Sequence, residues 1–189
     1  MHSFVIPAEY CVALIDTDAY PSFVHEDWDE TALRRHFVTQ MKGETMLAWG
    51  TGASANWRIQ VLVNPEGASE AVPGFRNFTG RVRATGSRLF LTSYDELTFV
   101  AGFTDERLPR EGTETWFISI APGEYDCRVT QLYDPAEAES EEVFNQQTPH
   151  FRIEISAADK TNPAELDDIP WFPGFAGGGD EEFSKELDE

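Results

Sequence analysis

The sequence predicts a mainly β protein: an antiparallel β-sandwich or barrel-like domain with one early α-helix and an acidic C-terminal tail. Three observations lead there. After Glu44 every segment with a hydrophobic period has period two. These segments recur at roughly ten-residue spacing between Gly- and Pro-containing turns, as the strands of a sandwich or barrel do. One stretch, about residues 28–42, carries apolar residues at helical spacing instead.

In chain order, Tyr10 to Asp16 reads as a short apolar strand, followed by the turn-rich Thr17-Asp18-Ala19-Tyr20-Pro21. Asp27-Trp28-Asp29-Glu30 has the form of a capping box, with Asp27 accepting from backbone donors and Glu30 reaching back. Leu33, Phe37 and Met41, joined by Ala32, form the apolar stripe of the helix, and Gly43 stands at its expected end. Arg34, Arg35 and Lys42 follow the acidic start, which suits the helix dipole. One face should pack on a sheet.

The next segment, WGTGASANW from Trp49 to Trp57, contains Gly50-Thr51-Gly52-Ala53-Ser54-Ala55, which matches G-x-G-x-x-A. A dinucleotide site needs a helix after those glycines, because the pyrophosphate rests on the helix N-terminus. Here Trp57, Ile59, Val61 and Val63 recur at every second position, so a strand follows. GTGASAN is read as a loop between two strands, and no cofactor is expected. Further strands are expected at Phe78 to Ala84, Leu89 to Tyr94, Leu97 to Phe103, Thr115 to Ala121, Tyr125 to Tyr133 and His150 to Ala157. Pro122-Gly123 should join two of them as a hairpin connection.

Two segments break the pattern. Asp134 to Gln147 is an acidic excursion, a short helix or a loop. In the tail, Ile169-Pro170-Trp171-Phe172-Pro173-Gly174-Phe175 is too aromatic to stand in water and should fold back on the domain. Beyond Gly177-Gly178-Gly179 the composition favours disorder. The expected organisation is a β-rich domain over 1–160, a packed aromatic segment over 161–176 and an acidic flexible tail over 177–189.

Charge bounds the function. The 189 residues include 34 Asp and Glu against 14 Lys and Arg, a formal net charge of −20. Such a chain repels nucleic acid and anionic lipid, so direct binding to either is disfavoured. Its electrostatic complement is a basic protein or a cation, while the bland alternative is that the acidity maintains solubility. No apolar run reaches membrane-spanning length and no signal-peptide pattern opens the chain, so a cytoplasmic protein is the default expectation. Cys11 and Cys127 fit reduced core residues rather than a disulfide framework or a zinc site. His2, His25, His36 and His150 are dispersed, and no H-E-x-x-H, C-x-x-C or G-x-S-x-G pattern occurs, so an enzyme is not expected. Asp16-x-Asp18, with Asp27 and Asp29, lacks the glycine and terminal Glu of a calcium loop and is read as turn and cap carboxylates.

The segments YCVALIDTD, EDWDETAL, TMLAWGTGASANWRIQVLV and ISIAPGEYDCRV follow one another in an order that resembles the competence protein J (ComJ) family from about Tyr10 to Ala157. The resemblance implies a small acidic protein without catalysis of its own, which associates with a DNA-entry nuclease and inhibits it. An immunity protein against a toxin would share these features. The acidic run at Glu137 to Glu142 and the extended tail depart from the family. A partner-binding patch is therefore expected at Glu26, Asp27, Asp29 and Glu30 by the helix start, and at Glu137, Glu139, Glu141 and Glu142 in the excursion. Each of these also has an ordinary reading as cap or solvated charge. Trp171 and Phe172 could anchor a partner, though packing within the chain is the simpler role. The competing classes are a β-sandwich ligand-binding module, marked by an aromatic-lined groove, and a phage- or secretion-associated structural protein, marked by a large apolar interface.

Overall fold

Strand burial divides the sheets into two kinds, and the division sets the architecture of the protein. In the computed structural model, which describes residues 1–64, 73–134, 148–159, 161 and 166–172, two sheets stack face to face. The first has five strands in the order β1-β4-β9-β8-β5, formed by β1 (His2–Ala8), β4 (Ala55–Val63), β5 (Arg76–Ala84), β8 (Gly123–Gln131) and β9 (Phe151–Ala157). The second has four in the order β3-β2-β6-β7, formed by β2 (Cys11–Ile15), β3 (Met46–Gly50), β6 (Arg88–Ser93) and β7 (Phe117–Ser119).

The five-stranded sheet alternates. Trp57, Ile59 and Val61 of β4 are buried while Arg58 and Gln60 between them are partly exposed, and β9 repeats this with Phe151, Ile153 and Ile155 against Arg152 and Glu154. One face of this sheet meets water. In the four-stranded sheet β2 and β3 are buried at every position, as a strand must be when both its faces are covered. Leu47 and Trp49 point at the five-stranded sheet, since Trp49 meets Phe151 with ring centroids 6.2 Å apart and Leu47 lies against Gly80. Their opposite partners Leu14 and Val12 share that side. The reverse side presents Cys11, Ala13, Ala48 and Gly50, small residues that let helices and chain approach closely, with Ile15 and Met46 at its end. Helices α1 (Glu30–Lys42) and α2 (Tyr94–Ala101) pack against this sheet, α1 on β3 and α2 on β2 and β6.

The sandwich expected from period and turns is therefore present, with five corrections. Leu97 to Phe103, expected as a strand, lies mostly in α2: Ser93 caps it by accepting from the Glu96 N–H at 3.4 Å, and Leu97, Val100 and Ala101 are buried at i, i+3 and i+4. Pro122-Gly123 does not close a hairpin, because β7 pairs with β6 and β8 pairs with β5 and β9, so the turn carries the chain from one sheet to the other. The helix expected from about residue 28 begins at Glu30, with Asp29 rather than Asp27 at the cap: the Asp29 carboxylate accepts from the Ala32 N–H at 2.7 Å. Asp27 sits too far before the helix, where its own N–H donates to His25 Nδ1 at 3.0 Å. β1 had no counterpart among the expected strands, and the β4–β9 pairing is parallel.

An aromatic group fastens the sandwich. Trp57 stacks on Tyr133 with centroids 5.3 Å apart, meets Phe151 at 5.5 Å and donates from Nε1 to the Ala8 carbonyl at 3.0 Å. The tyrosine in turn donates to the Thr51 carbonyl. GTGASAN contains a strand-to-strand loop, residues 51–54, with Gly52 at φ 83 in the region that favours glycine. Cys11 and Cys127 are free and buried, and burial, with Asp95 adding to it, pushes the Cys11 thiol up to about 12.

Chain from the far end covers β3. The Gly50 N–H donates to the Pro170 carbonyl at 2.8 Å, Ile169 and Phe172 are buried, and Trp171 meets Phe78 edge-on at 4.9 Å. A side chain on Gly50 would place its Cβ 2.2 Å from the Trp171 carbonyl oxygen, which is backbone and cannot rotate away. Gly50→Ala should lift this segment and cost about 1–3 kcal/mol, seen as a lower urea midpoint and faster proteolysis near Trp171. The cap assignment has its own check. Asp29→Ala should cost about 1 kcal/mol in urea unfolding, while Asp27→Ala should leave the midpoint in place.

Candidate functional site

The approach to α1 and the end of α2 are far apart in sequence and are joined by backbone. Val24 and His25 donate their N–H groups to the Ala101 carbonyl at 2.8 and 3.3 Å, and Trp28 N–H donates to the His25 carbonyl at 3.3 Å. The indole of Trp28 is thereby laid against Gly102, where an added Cβ would lie 3.6 Å from its Nε1. What results is an open groove of about 600 Å³ lined by Glu26, Trp28, Thr98, Phe99, Phe103 and Asp105, with Gly102 and Thr104 in its wall.

Glu26, Asp27, Asp29 and Glu30 are all exposed. Glu26 lines the groove and Asp27 directly precedes Trp28 of its wall. Asp29 is occupied as the cap and Glu30 is the first helical residue. None of the four enters an ion pair among the described residues. Glu137, Glu139, Glu141 and Glu142 lie outside the described residues. The aromatic part of the site was absent from the sequence-based selection. Phe99 and Phe103 are 40% and 51% exposed, with ring centroids 5.6 Å apart. They form an adjacent aromatic pair among the exposed large hydrophobic residues described: Phe99 sits on the side of α2 opposite the buried Leu97, Val100 and Ala101, and Phe103 follows the cap Gly102.

Arginine already uses one of these rings. Cζ of Arg110 lies 3.4 Å from the Phe99 centroid, and its Nη1 is 3.4 Å from Glu96 Oε1. Burial pushes the Glu96 carboxyl upward, an effect that Arg110 opposes. On the open face of the five-stranded sheet the chemistry is different: Arg81 pairs with Asp126 at 2.8 Å, and the register sets Arg128 beside Glu154 and Arg152 beside Gln60. Cations there are interleaved with acids and amides. The helix-side approach instead gathers carboxylates.

The other candidate groups have structural duties. Asp16 is fully buried, accepting from the N–H groups of Asp18 and Thr85 at 3.1 and 2.7 Å. His150 accepts on Nδ1 from the Arg58 N–H at 3.1 Å and meets Trp57 edge-on. Among the described residues no group of three or more His, Cys, Asp or Glu could hold a metal ion, and no helix is long and apolar enough to cross a membrane. His36 packs edge-on against Tyr20 at 5.6 Å. Burial draws its imidazole below the ordinary value, partly offset by its hydrogen bond to Pro21. The unfolded chain therefore takes up a proton that the folded one refuses, and this part of the stability is full above about pH 6.5 and is lost as pH falls from there through the lowered value. His36→Gln should flatten the fall of the urea midpoint across that window. An unchanged slope would assign the fall to other groups.

No family model matches the chain, and no curated protein matches it. Solved structures do. The crocagin biosynthetic gene J protein superposes with a TM-score of 0.56 at 13% identity, over 83% of this chain and 96% of that one. ComJ from Bacillus subtilis, described as the inhibitor of the DNA-degrading activity of NucA, superposes with a TM-score of 0.48 at 10% identity, over 84% of this chain and 96% of that one. ComJ is among the solved structures this chain is similar to, and the likeness to the crocagin protein, at 13% identity, is one of fold.

Proposed function

We propose that this chain is a non-enzymatic acidic protein that binds and inhibits a basic nuclease or toxin-like partner. The observation that carries the reading is the set of exposed carboxylates at Glu26, Asp27 and Glu30, outside any ion pair among the described residues, in a chain of net charge −20. A nuclease must present cations to hold phosphate, and an acidic face both attracts those cations from a distance and occupies them on arrival. The sequence resemblance to the ComJ family supports the same class of partner. In this reading Glu137, Glu139, Glu141 and Glu142 extend the acidic surface, and the protein acts as a substrate mimic or a steric plug.

The test is capture of the partner from native lysate on the tagged protein, followed by a nuclease assay on any basic protein recovered. Inhibition at near-stoichiometric ratio is expected. A nuclease that binds without losing activity, or the absence of any retained nuclease or toxin, would contradict the reading. With the partner in hand, the Glu26→Gln/Asp27→Asn/Glu30→Gln variant should associate severalfold more slowly at low salt and show a shallower salt dependence, as expected when part of the steering charge is removed. Stopped-flow measurement at two ionic strengths reads both. Charge reversal across Glu137 to Glu142 should weaken binding without unfolding the domain. An unchanged affinity would remove that run from the surface.

The aromatic groove favours a second reading, a β-sandwich module for a small ligand. It predicts saturable binding of a free small molecule in the absence of any protein partner.

A further inference from the structure

We propose that the groove between the α1 approach and the end of α2 is an arginine receptor, into which the basic partner inserts one guanidinium group. This rests on the inhibitor reading for the existence of such a partner; the recognition chemistry comes from the groove. Three aromatic side chains, Trp28, Phe99 and Phe103, and two carboxylates, Glu26 and Asp105, line the same open volume of about 600 Å³. Flat π-faces attract a planar cation and carboxylates supply its counter-charge, so the combination selects a guanidinium over an aliphatic or anionic group.

Two further features agree. α2 has Asp95 and Glu96 in its first turn and no basic residue of its own in its last, so the cation beside its negative end is Arg110, stacked on Phe99. The chain also stacks its own arginines on rings, Arg110 on Phe99 at 3.4 Å, Arg88 on Phe117 at 4.1 Å and Arg76 on Trp171 at 4.6 Å. Phe103 bears none of these stacked arginines and is half exposed, which leaves it as the ring for an incoming side chain. The lining carboxylates Glu26 and Asp105, with Asp27 next to Trp28 in the chain, disfavour an anionic occupant, whether nucleic acid or lipid headgroup.

The probe is a blocked glycyl-arginyl-glycine tripeptide titrated into the full-length ¹⁵N-labelled protein, with the citrulline peptide, neutral and of the same shape, as control. The indole N–H of Trp28 and the backbone amides of Gly102 to Asp105 are followed. A saturable shift is expected with the arginine peptide, at least severalfold weaker with citrulline. It should be abolished in Phe103→Ala and reduced severalfold in Glu26→Gln/Asp105→Asn. Phe103 is exposed enough that its truncation should leave the remaining spectrum in place, and the spectrum itself reports folding. A silent Trp28 indole, an equal response to citrulline, or a diffuse response that survives Phe103→Ala would each overturn the proposal; the second would assign the groove to uncharged ligands. The two readings fail separately. Full nuclease inhibition by Phe103→Ala would sink the groove and leave the inhibitor standing, whereas arginine binding without any recoverable nuclease would do the reverse.

Discussion

The structure depends on the seating of β9 between β4 and β8. The β1–β4 and β5–β8 pairs are separate two-stranded ribbons, and β9 joins them, parallel to one and antiparallel to the other. Two-stranded ribbons are marginal alone and stable only within a larger packed sheet. Phe151, Ile153 and Ile155 bring the apolar surface that completes the inner face, and Phe151 touches Trp49 of the opposite sheet as well as Trp57 and Tyr133. The closing strand lies about ninety residues after β4 in sequence, so the core is built from non-local contacts and its loop-closure cost falls late.

Closing the sandwich fixes what each surface can do. With one sheet covered on both faces and the other on one, the helices and the open sheet face end on opposite sides of the molecule. On the open face Arg81 stands against Asp126 and Arg128 beside Glu154, while Arg152 faces the Gln60 amide, so the charge of that surface is mixed rather than acidic. The helix side holds the exposed carboxylates of the α1 approach together with the only adjacent exposed aromatic pair among the described residues. Under the proposed function, asymmetry of this kind would give a basic partner a direction from which to approach and the groove a place to stop.

Period and turn chemistry made much of the fold legible. Trp57, Ile59, Val61 and Val63 announced β4 and so removed the dinucleotide reading of the glycines before it. α2 was misread because Leu97-Thr98-Phe99-Val100-Ala101 is dense in apolar and β-branched residues. The signal that would have found it was present, since Ser93 and Glu96 hold the spacing of a capping box that opens a helix. Asp27 was preferred to Asp29 because both acids precede the apolar stripe closely, and only hydrogen-bond geometry separates them. The switch of sheet at Pro122-Gly123 was invisible locally, because turn residues state that the chain bends and not which strand it meets next. Glu26, Asp27 and Glu30 were chosen from charge alone. Their aromatic neighbours were missed because Glu26 and Phe103 are brought together by the Val24 and His25 hydrogen bonds to Ala101, a contact with no periodicity to betray it.

Hydrogen exchange of the free protein against its complex with the captured partner tests most directly whether the acidic helix side is the working surface. New protection is expected only in the backbone around 24–30 and 98–105, with the strands of the five-stranded sheet unchanged. Protection on the open face around Arg81, Arg128 and Arg152, with the α1 approach and the end of α2 exchanging as before, would contradict it.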